Sequence, residues 1–209
     1  MKLFDVDGPL YKFMTTLWDI MKLNFLWLIF SLPMITIGAS TVAAFAVTNK
    51  MAEEREGYVG RQFIAAFKAN WKQGIPMGLM VLAGTYAVYL DFELQRVTES
   101  MMLQVAGILS CVLLLTAFLY AFALCARYEN TIKNTLVNSI QITVRYFPRT
   151  IGLLLVLAVE LLIFFFNSTT LFFMVLIGPA CIMYTISSFA MYIFRRIESD
   201  NGTKEAEEE

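Results

Sequence analysis

The chain has 209 residues, of which 58% are apolar and 16% charged, with a mean hydropathy of +0.65. That composition excludes an ordinary water-soluble domain, and the apolar residues fall in runs long enough for a bilayer core of roughly 30 Å, which takes about 20 residues per helix. The net charge of −1 says little as a total because acidic residues gather at the C-terminus, whereas the absence of histidine removes His-dependent triads, imidazole metal sites and imidazole proton relays.

The first pattern is amphipathic. Over residues 9–22, Leu10, Phe13, Met14, Leu17, Trp18 and Met21 recur at helical spacing, with Lys12, Thr15, Asp19 and Lys22 largely elsewhere. A helix lying in the membrane interface, or one packed on the bundle, has this moment. A first span is predicted over 24–47. It contains Pro33, which has no N–H for the Ile29 carbonyl, and Gly38, which weakens the next turn. The helix is therefore expected to kink or break there, and a break in a membrane needs protein or a water-lined cavity to satisfy its backbone. Pro33 and Gly38 thus mark either a binding site or a packing kink. The run is expected to be retained rather than cleaved, because Asp5, Asp7 and Asp19 precede it and its apolar stretch is longer than a signal core.

Four further spans are predicted over 75–94, 101–126, 151–166 and 171–194, the last two joined by the short polar break Asn167-Ser168-Thr169-Thr170 as a tight hairpin. The fold class is all-α: a polytopic transmembrane bundle of about five helices, in a single domain over 1–196, with a disordered acidic tail over 197–209. Between spans, Phe63, Phe67 and Trp71 fall at i, i+4, i+8 on one face of a connector, as do Leu136, Ile140 and Val144 in a second. An offset of 77 aligns Lys50 with Arg127, Lys68 with Arg145 and Lys72 with Arg149. A parallel internal repeat, or a shared need for basic residues on one side, produces that match.

The connectors also orient the chain. Lys50, Arg55, Arg61, Lys68 and Lys72 follow the first span, Arg127, Lys133, Arg145 and Arg149 the third, and Arg195, Arg196 and Lys204 the fifth. These twelve share one side, which the positive-inside rule makes cytoplasmic together with the C-terminus. Lys2, Lys12, Lys22 and Arg96 are left opposite, so the N-terminus is outside; if the Pro33 break doubles the first segment, the N-terminus is inside.

Two carboxylates are candidates for an intramembrane polar site. Glu160 sits mid-span, where a charge costs at least ~2.5 kcal/mol unless paired, protonated or facing a cavity; a proton or cation site, a ligand contact, or a carboxyl bonded to hydroxyls on a neighbouring helix all fit. Asp91 lies near a span end and meets water in the simplest reading. Gly74 and Gly78 form a small-xxx-small pair interrupted by Pro76. Cys111, Cys125 and Cys181 read as buried thiols without metal-site spacing. No phosphate loop, dinucleotide glycine pattern or nucleophile elbow is present, so neither a cofactor nor enzymatic activity is expected, nor a metal or nucleic-acid partner.

Several strings are more specific than composition. Asp7-Gly8-Pro9-Leu10-Tyr11, Asn24-Phe25-Leu26-Trp27-Leu28, Ser31-Leu32-Pro33 with Thr36-Ile37-Gly38-Ala39-Ser40-Thr41, and Phe67-Lys68-Ala69-Asn70-Trp71-Lys72-Gln73 resemble the YesL family of bacterial membrane proteins. That resemblance implies a small polytopic protein of the cytoplasmic membrane, uncharacterised biochemically, in the genetic setting of carbohydrate ABC transporters. It carries no catalytic residues. The expected role is an accessory or regulatory component of carbohydrate uptake, with the bilayer and an ABC-type permease as partners and docking at Phe63, Phe67, Asn70, Trp71 and Lys72. The alternative is a small transporter that uses Glu160. The two topologies separate experimentally: in a background without other cysteines, Lys2→Cys reacts with an impermeant thiol reagent in intact cells if the N-terminus is outside, and stays unlabelled if it is inside.

Overall fold

The computed structural model describes residues 9–53, 57–98 and 101–208, with side chains from Leu10 to Ser199 in those ranges. Lys2, Asp5, Asp7, Gly8, Arg55 and the side chains of the acidic tail, Lys204 included, lie outside the described residues. Eight α-helices and one 3-10 turn make up the described chain: α1 Pro9–Ser31, the turn Met34–Thr36, α2 Ile37–Ala52, α3 Val59–Thr98, α4 Met101–Phe118, α5 Ala121–Arg127, α6 Ile132–Arg145, α7 Phe147–Phe165 and α8 Ser168–Glu208.

Five helical segments are long and apolar enough to cross a membrane: Leu10–Ser31, Val59–Thr98, Met101–Arg127, Phe147–Phe165 and Ser168–Ser199. Their outer surface is apolar, with Leu113, Leu155, Leu162, Phe165 and Phe172 all exposed, as a lipid-facing surface requires. The chain is a multi-span, all-helical membrane protein. Five was the expected number of spans, but the first member differs. The amphipathic stretch and the start of the expected first span form one continuous helix, α1, and the chain breaks at Leu32 and Pro33 instead of kinking.

Beyond the break α2 folds back on α1. The Trp27 indole donates to Thr41 Oγ1 at 3.1 Å, Ser31 Oγ donates to Ser40 Oγ at 3.0 Å, and Ser40 Oγ donates to the Trp27 carbonyl at 3.1 Å. Residues 13 or 14 apart along a straight helix would stand about 20 Å from one another. Thr36 Oγ1 donates to the Phe30 carbonyl at 2.6 Å and to the Pro33 carbonyl at 2.8 Å. The Ile29 carbonyl, which Pro33 cannot serve, accepts the Leu32 N–H at 3.3 Å instead, and the Thr36 hydroxyl serves the Phe30 carbonyl at the end of α1.

At 16 residues α2 is too short to count among the candidate spans, yet it forms the centre of the molecule. It packs against α1, α3, α5 and α8, and Ala39, Val42, Ala43 and Ala44 have no exposed surface. Its first turn crosses α3 at very short range, because a Cβ on Gly38 would lie 2.1 Å from the Gly74 carbonyl oxygen and 2.5 Å from the Gly78 Cα. Small residues let two backbones approach this closely, so Gly74 and Gly78 form a packing site despite Pro76 between them. From that crossing α2 and α3 run antiparallel to the other end of α2, where Asn49, Lys50 and Glu53 face Arg61 and Gln62.

α3 continues as a single helix about 60 Å long, antiparallel to α4 and α5, with Gly84 beside Leu114 and Gly107 beside Asp91 and Phe92. The corresponding stretch of the second half divides into α6 and α7 at Tyr146, so the two halves related by the offset of 77 differ in their helical connectivity. At the far end, the backbone of α8 stays helical to Glu208. This departs from the disordered tail expected over 197–209. Extending an existing helix requires no new nucleation, and Lys204, Glu205, Ala206 and Glu207 are good helix formers.

The Gly38 crossing is open to direct test. Gly38→Ala is expected to destabilise the purified protein by about 1–3 kcal/mol, since backbone atoms block the methyl, whereas Gly152→Ala, whose Cβ would meet only Phe189 at 3.7 Å, is expected to be neutral or better. Thermal unfolding in detergent measures both; equal midpoints for Gly38→Ala and the parent would contradict the crossing.

Candidate binding cleft

A cleft of about 720 Å³ opens where α2, α3 and α5 meet. Its lining combines small residues, Ala46, Ala65, Ala66, Ala69 and Ala126, with polar ones, among them Asn49, Lys50, Glu53, Arg61, Gln62 and Asn70. Alanine on facing helices creates the space, because side chains that end at Cβ cannot fill the gap between the backbones.

Asn49 is the most buried polar group of this lining, only 5% exposed. Its Nδ2 donates to the Ala123 carbonyl at 3.0 Å, which fixes the amide, while Oδ1 is buried without a donor. An unpaired buried acceptor costs about 1–3 kcal/mol, and no protein group donates to this one. Asn70 is also held, by its bond to the Ala66 carbonyl at 3.0 Å. Lys50 and Arg61 are exposed along the rim and have no ion-pair partner among the described residues.

The inner end is closed by charge. Arg127 Nη1 donates to Glu53 Oε1 at 2.6 Å, and its Nε and Nη2 both donate to the Glu198 carboxylate at 3.1 Å. The bidentate geometry fixes the guanidinium plane and ties α5 to the end of α2 and to α8. The Tyr128 hydroxyl donates to Glu198 Oε1 at 2.5 Å. Burial, with Glu198 alongside, pushes that phenol up to about 12, so it stays a donor through the physiological range.

The residues singled out from the sequence fall in several places. Phe63 has no exposed surface and packs edge-on against Phe30, with ring centroids 5.3 Å apart; Phe67 meets the same ring at 5.0 Å. The 63/67 face therefore turns inward against α1, and Phe63 is no part of a docking surface. Only Trp71, 49% exposed, and Lys72 lie open, while Asn70 belongs to the cleft. Pro33 is exposed at the apex of the fold-back beside Leu32, Met34 and Ile35, and Gly38 is at the α3 crossing. The break thus brings Gly38 against α3.

Glu160 accepts a hydrogen bond from the Thr185 hydroxyl on α8 through Oε1, while Oε2 is buried without a partner. Of the readings open to it, the hydroxyl on a neighbouring helix is present. Asp91 is half-buried where α3 meets Gly107 of α4, so the two carboxylates occupy different helix pairs.

Sequence reasoning missed the polar groups that join helices. Asn24, fully buried, donates from Nδ2 to the Val175 and Leu176 carbonyls at 2.9 and 2.8 Å, and its Oδ1 accepts from the Ala180 N–H at 3.3 Å. Pro179 explains why: it has no N–H for Val175, and Asn24 supplies the missing donor. Ser139 does the same between α4 and α5, accepting from the Tyr120 N–H at 3.2 Å and donating to the Thr116 carbonyl at 3.3 Å. The available signal was an asparagine in an apolar run and a proline in a distant one, with nothing to pair them.

Residues 20–92 match the model of a family described as a protein of unknown function, DUF624. The match takes in most of α1, all of α2 and most of α3. It therefore includes the fold-back, the glycine crossing and the α2 and α3 walls of the cleft, but not Arg127 or Tyr128. No curated protein and no solved structure matches the chain.

Proposed function

We propose that this protein is a solute-binding accessory component of carbohydrate uptake in a bacterial cytoplasmic membrane, with the cleft between α2, α3 and α5 as its binding site. The observation that carries the reading is the polar lining of the cleft around Asn49, a buried, fixed amide whose Oδ1 lacks a protein donor. A hydroxyl is the simplest group that donates there. The amides of Gln62 and Asn70 and the cations Lys50 and Arg61 suit a ligand with several hydroxyls or with an acidic group. The resemblance to the YesL family supports the carbohydrate setting and an ABC-type permease as partner, with Trp71 and Lys72 as the open part of the docking face. Catalysis is not part of the proposal.

The fold-back of α2 also supports one of the two topologies. A chain that reverses at Pro33 begins on the side where α2 ends, so Lys12 and Lys22 join Lys50, Arg61, Arg127 and Arg195 on a cytoplasmic face, with the C-terminus.

The purified full-length protein is expected to bind members of a panel of neutral and acidic mono- and oligosaccharides saturably in calorimetry. Asn49→Leu and Arg61→Gln are each expected to weaken binding about tenfold, the ~1.4 kcal/mol scale of one well-placed polar contact. If no saccharide saturates at millimolar concentration, or if both variants bind like the parent, the cleft is not a carbohydrate site.

The unpartnered Glu160 Oε2 favours a second reading, a small transporter. In that case Glu160→Gln, which keeps an acceptor for Thr185 but loses the acid, abolishes solute uptake by reconstituted vesicles at unchanged expression. Uptake at the parent rate removes Glu160 from any transport step.

A further inference from the structure

A second, smaller pocket of about 330 Å³ lies at the junction of α6, α7 and α8, away from the α2–α3–α5 cleft, and is lined by Arg145, Tyr146, Pro148, Arg149 and Arg196. Three of its five lining residues are arginines, none is a carboxylate, and none of the three arginines has an ion-pair partner among the described residues. Gathering three guanidiniums without an anion is unfavourable, since each repels the others. Glu198, two residues beyond Arg196, is already held by Arg127 and Tyr128.

Arg149 is also held in place by an aromatic ring. The Arg149 guanidinium lies 3.9 Å from the centroid of the Tyr192 ring, and that of Arg145 lies 5.9 Å from the Tyr146 ring. Such stacking fixes a guanidinium plane and leaves its N–H edge free. For Arg149 that edge is unsatisfied: Nη1 is buried and has no hydrogen-bond acceptor. The chain breaks at Tyr146, so the 19-residue α7 begins at the pocket and turns the positive end of its dipole toward it. No acid occupies its first turn.

We infer that this pocket is a phosphate-binding site, with Arg149 as its central ligand and Arg145 and Arg196 completing it. A tetrahedral anion with several acceptor oxygens accepts from the guanidiniums that line the pocket, neutralises the three cations and meets the α7 terminus. The phosphodiester of an anionic phospholipid and the phosphate of a soluble ester share this chemistry. Arg196 ends the apolar run of α8, and Tyr146 and Tyr192 are residues of the membrane interface, so the lipid headgroup is the expected source.

The test uses the full chain in two arms. In the first, protein in nanodiscs of phosphatidylcholine alone, or with phosphatidylglycerol added, is extracted and its retained lipid counted by native mass spectrometry. In the second, detergent-solubilised protein is titrated with glycerol 3-phosphate. Phosphatidylglycerol is expected to be retained over phosphatidylcholine, with apparent affinity falling about tenfold or more in Arg149→Gln and in the double variant Arg145→Gln/Arg196→Gln. The double variant alters exposed side chains and is informative even if Arg149→Gln does not fold. Binding of glycerol 3-phosphate that the same substitutions abolish, without lipid preference, retains the phosphate site and assigns it to a soluble ester. If the parent shows no preference in either arm, or the folded double variant binds both probes like the parent, the pocket is not a phosphate site.

Discussion

Every backbone N–H and C=O in an apolar environment must be hydrogen-bonded within the protein, and at three interruptions of the helices a side chain supplies a partner. Thr36, with Ser31 and Ser40 beside it, closes the break at Pro33; Ser139 inserts between Thr116 and Tyr120; Asn24 serves the carbonyl that Pro179 leaves open. An unsatisfied group would cost several kcal/mol where water is excluded. These bonds join α1 to α2, α6 to the α4–α5 junction, and α1 to α8. The patches that make irregular helices tolerable are therefore also the joints of the bundle.

The central position of α2 follows from those joints. Its serine, threonines and alanines let it lie inside the bundle, with Ser40 and Thr41 bonded to α1 and Thr48 bonded to Ser187 of α8 at 2.6 Å. Gly38 brings it against α3 at one end, and at the other the helices leave a space lined by alanines and polar side chains. The cleft is thus a consequence of the same small side chains that make close packing possible. Arg127 then fixes its inner end by holding Glu53 and Glu198 from two other helices.

Much of the architecture was legible in the chain. Hydropathy indicated the all-helical class and the number of long apolar helices, five among the described residues. Pro33 and Gly38 were visible as a break, and Gly74 and Gly78 as a close-packing pair. What they contact was not visible, because Gly38 and Gly78 stand 40 residues apart. The aromatic stripe at 63 and 67 shows the same limit. Its spacing identified an apolar face, but a face covered by Phe30 and a face awaiting a partner have the same periodicity.

The binding candidates divide along the same line. Glu160 stood out by itself, since an acid in a run of leucines is conspicuous in one dimension. Asn49, Arg149 and Asn24 did not, because asparagine near a helix end and arginine in a basic connector are ordinary. By itself the sequence determined that this is a multi-span helical membrane protein, where most of its spans lie and where its first segment breaks, since these depend on local hydropathy and backbone chemistry. The tertiary structure alone decided that the break folds α2 into the core, that Asn49 retains an unpaired oxygen and that three arginines converge, because each depends on distances between residues far apart in the chain.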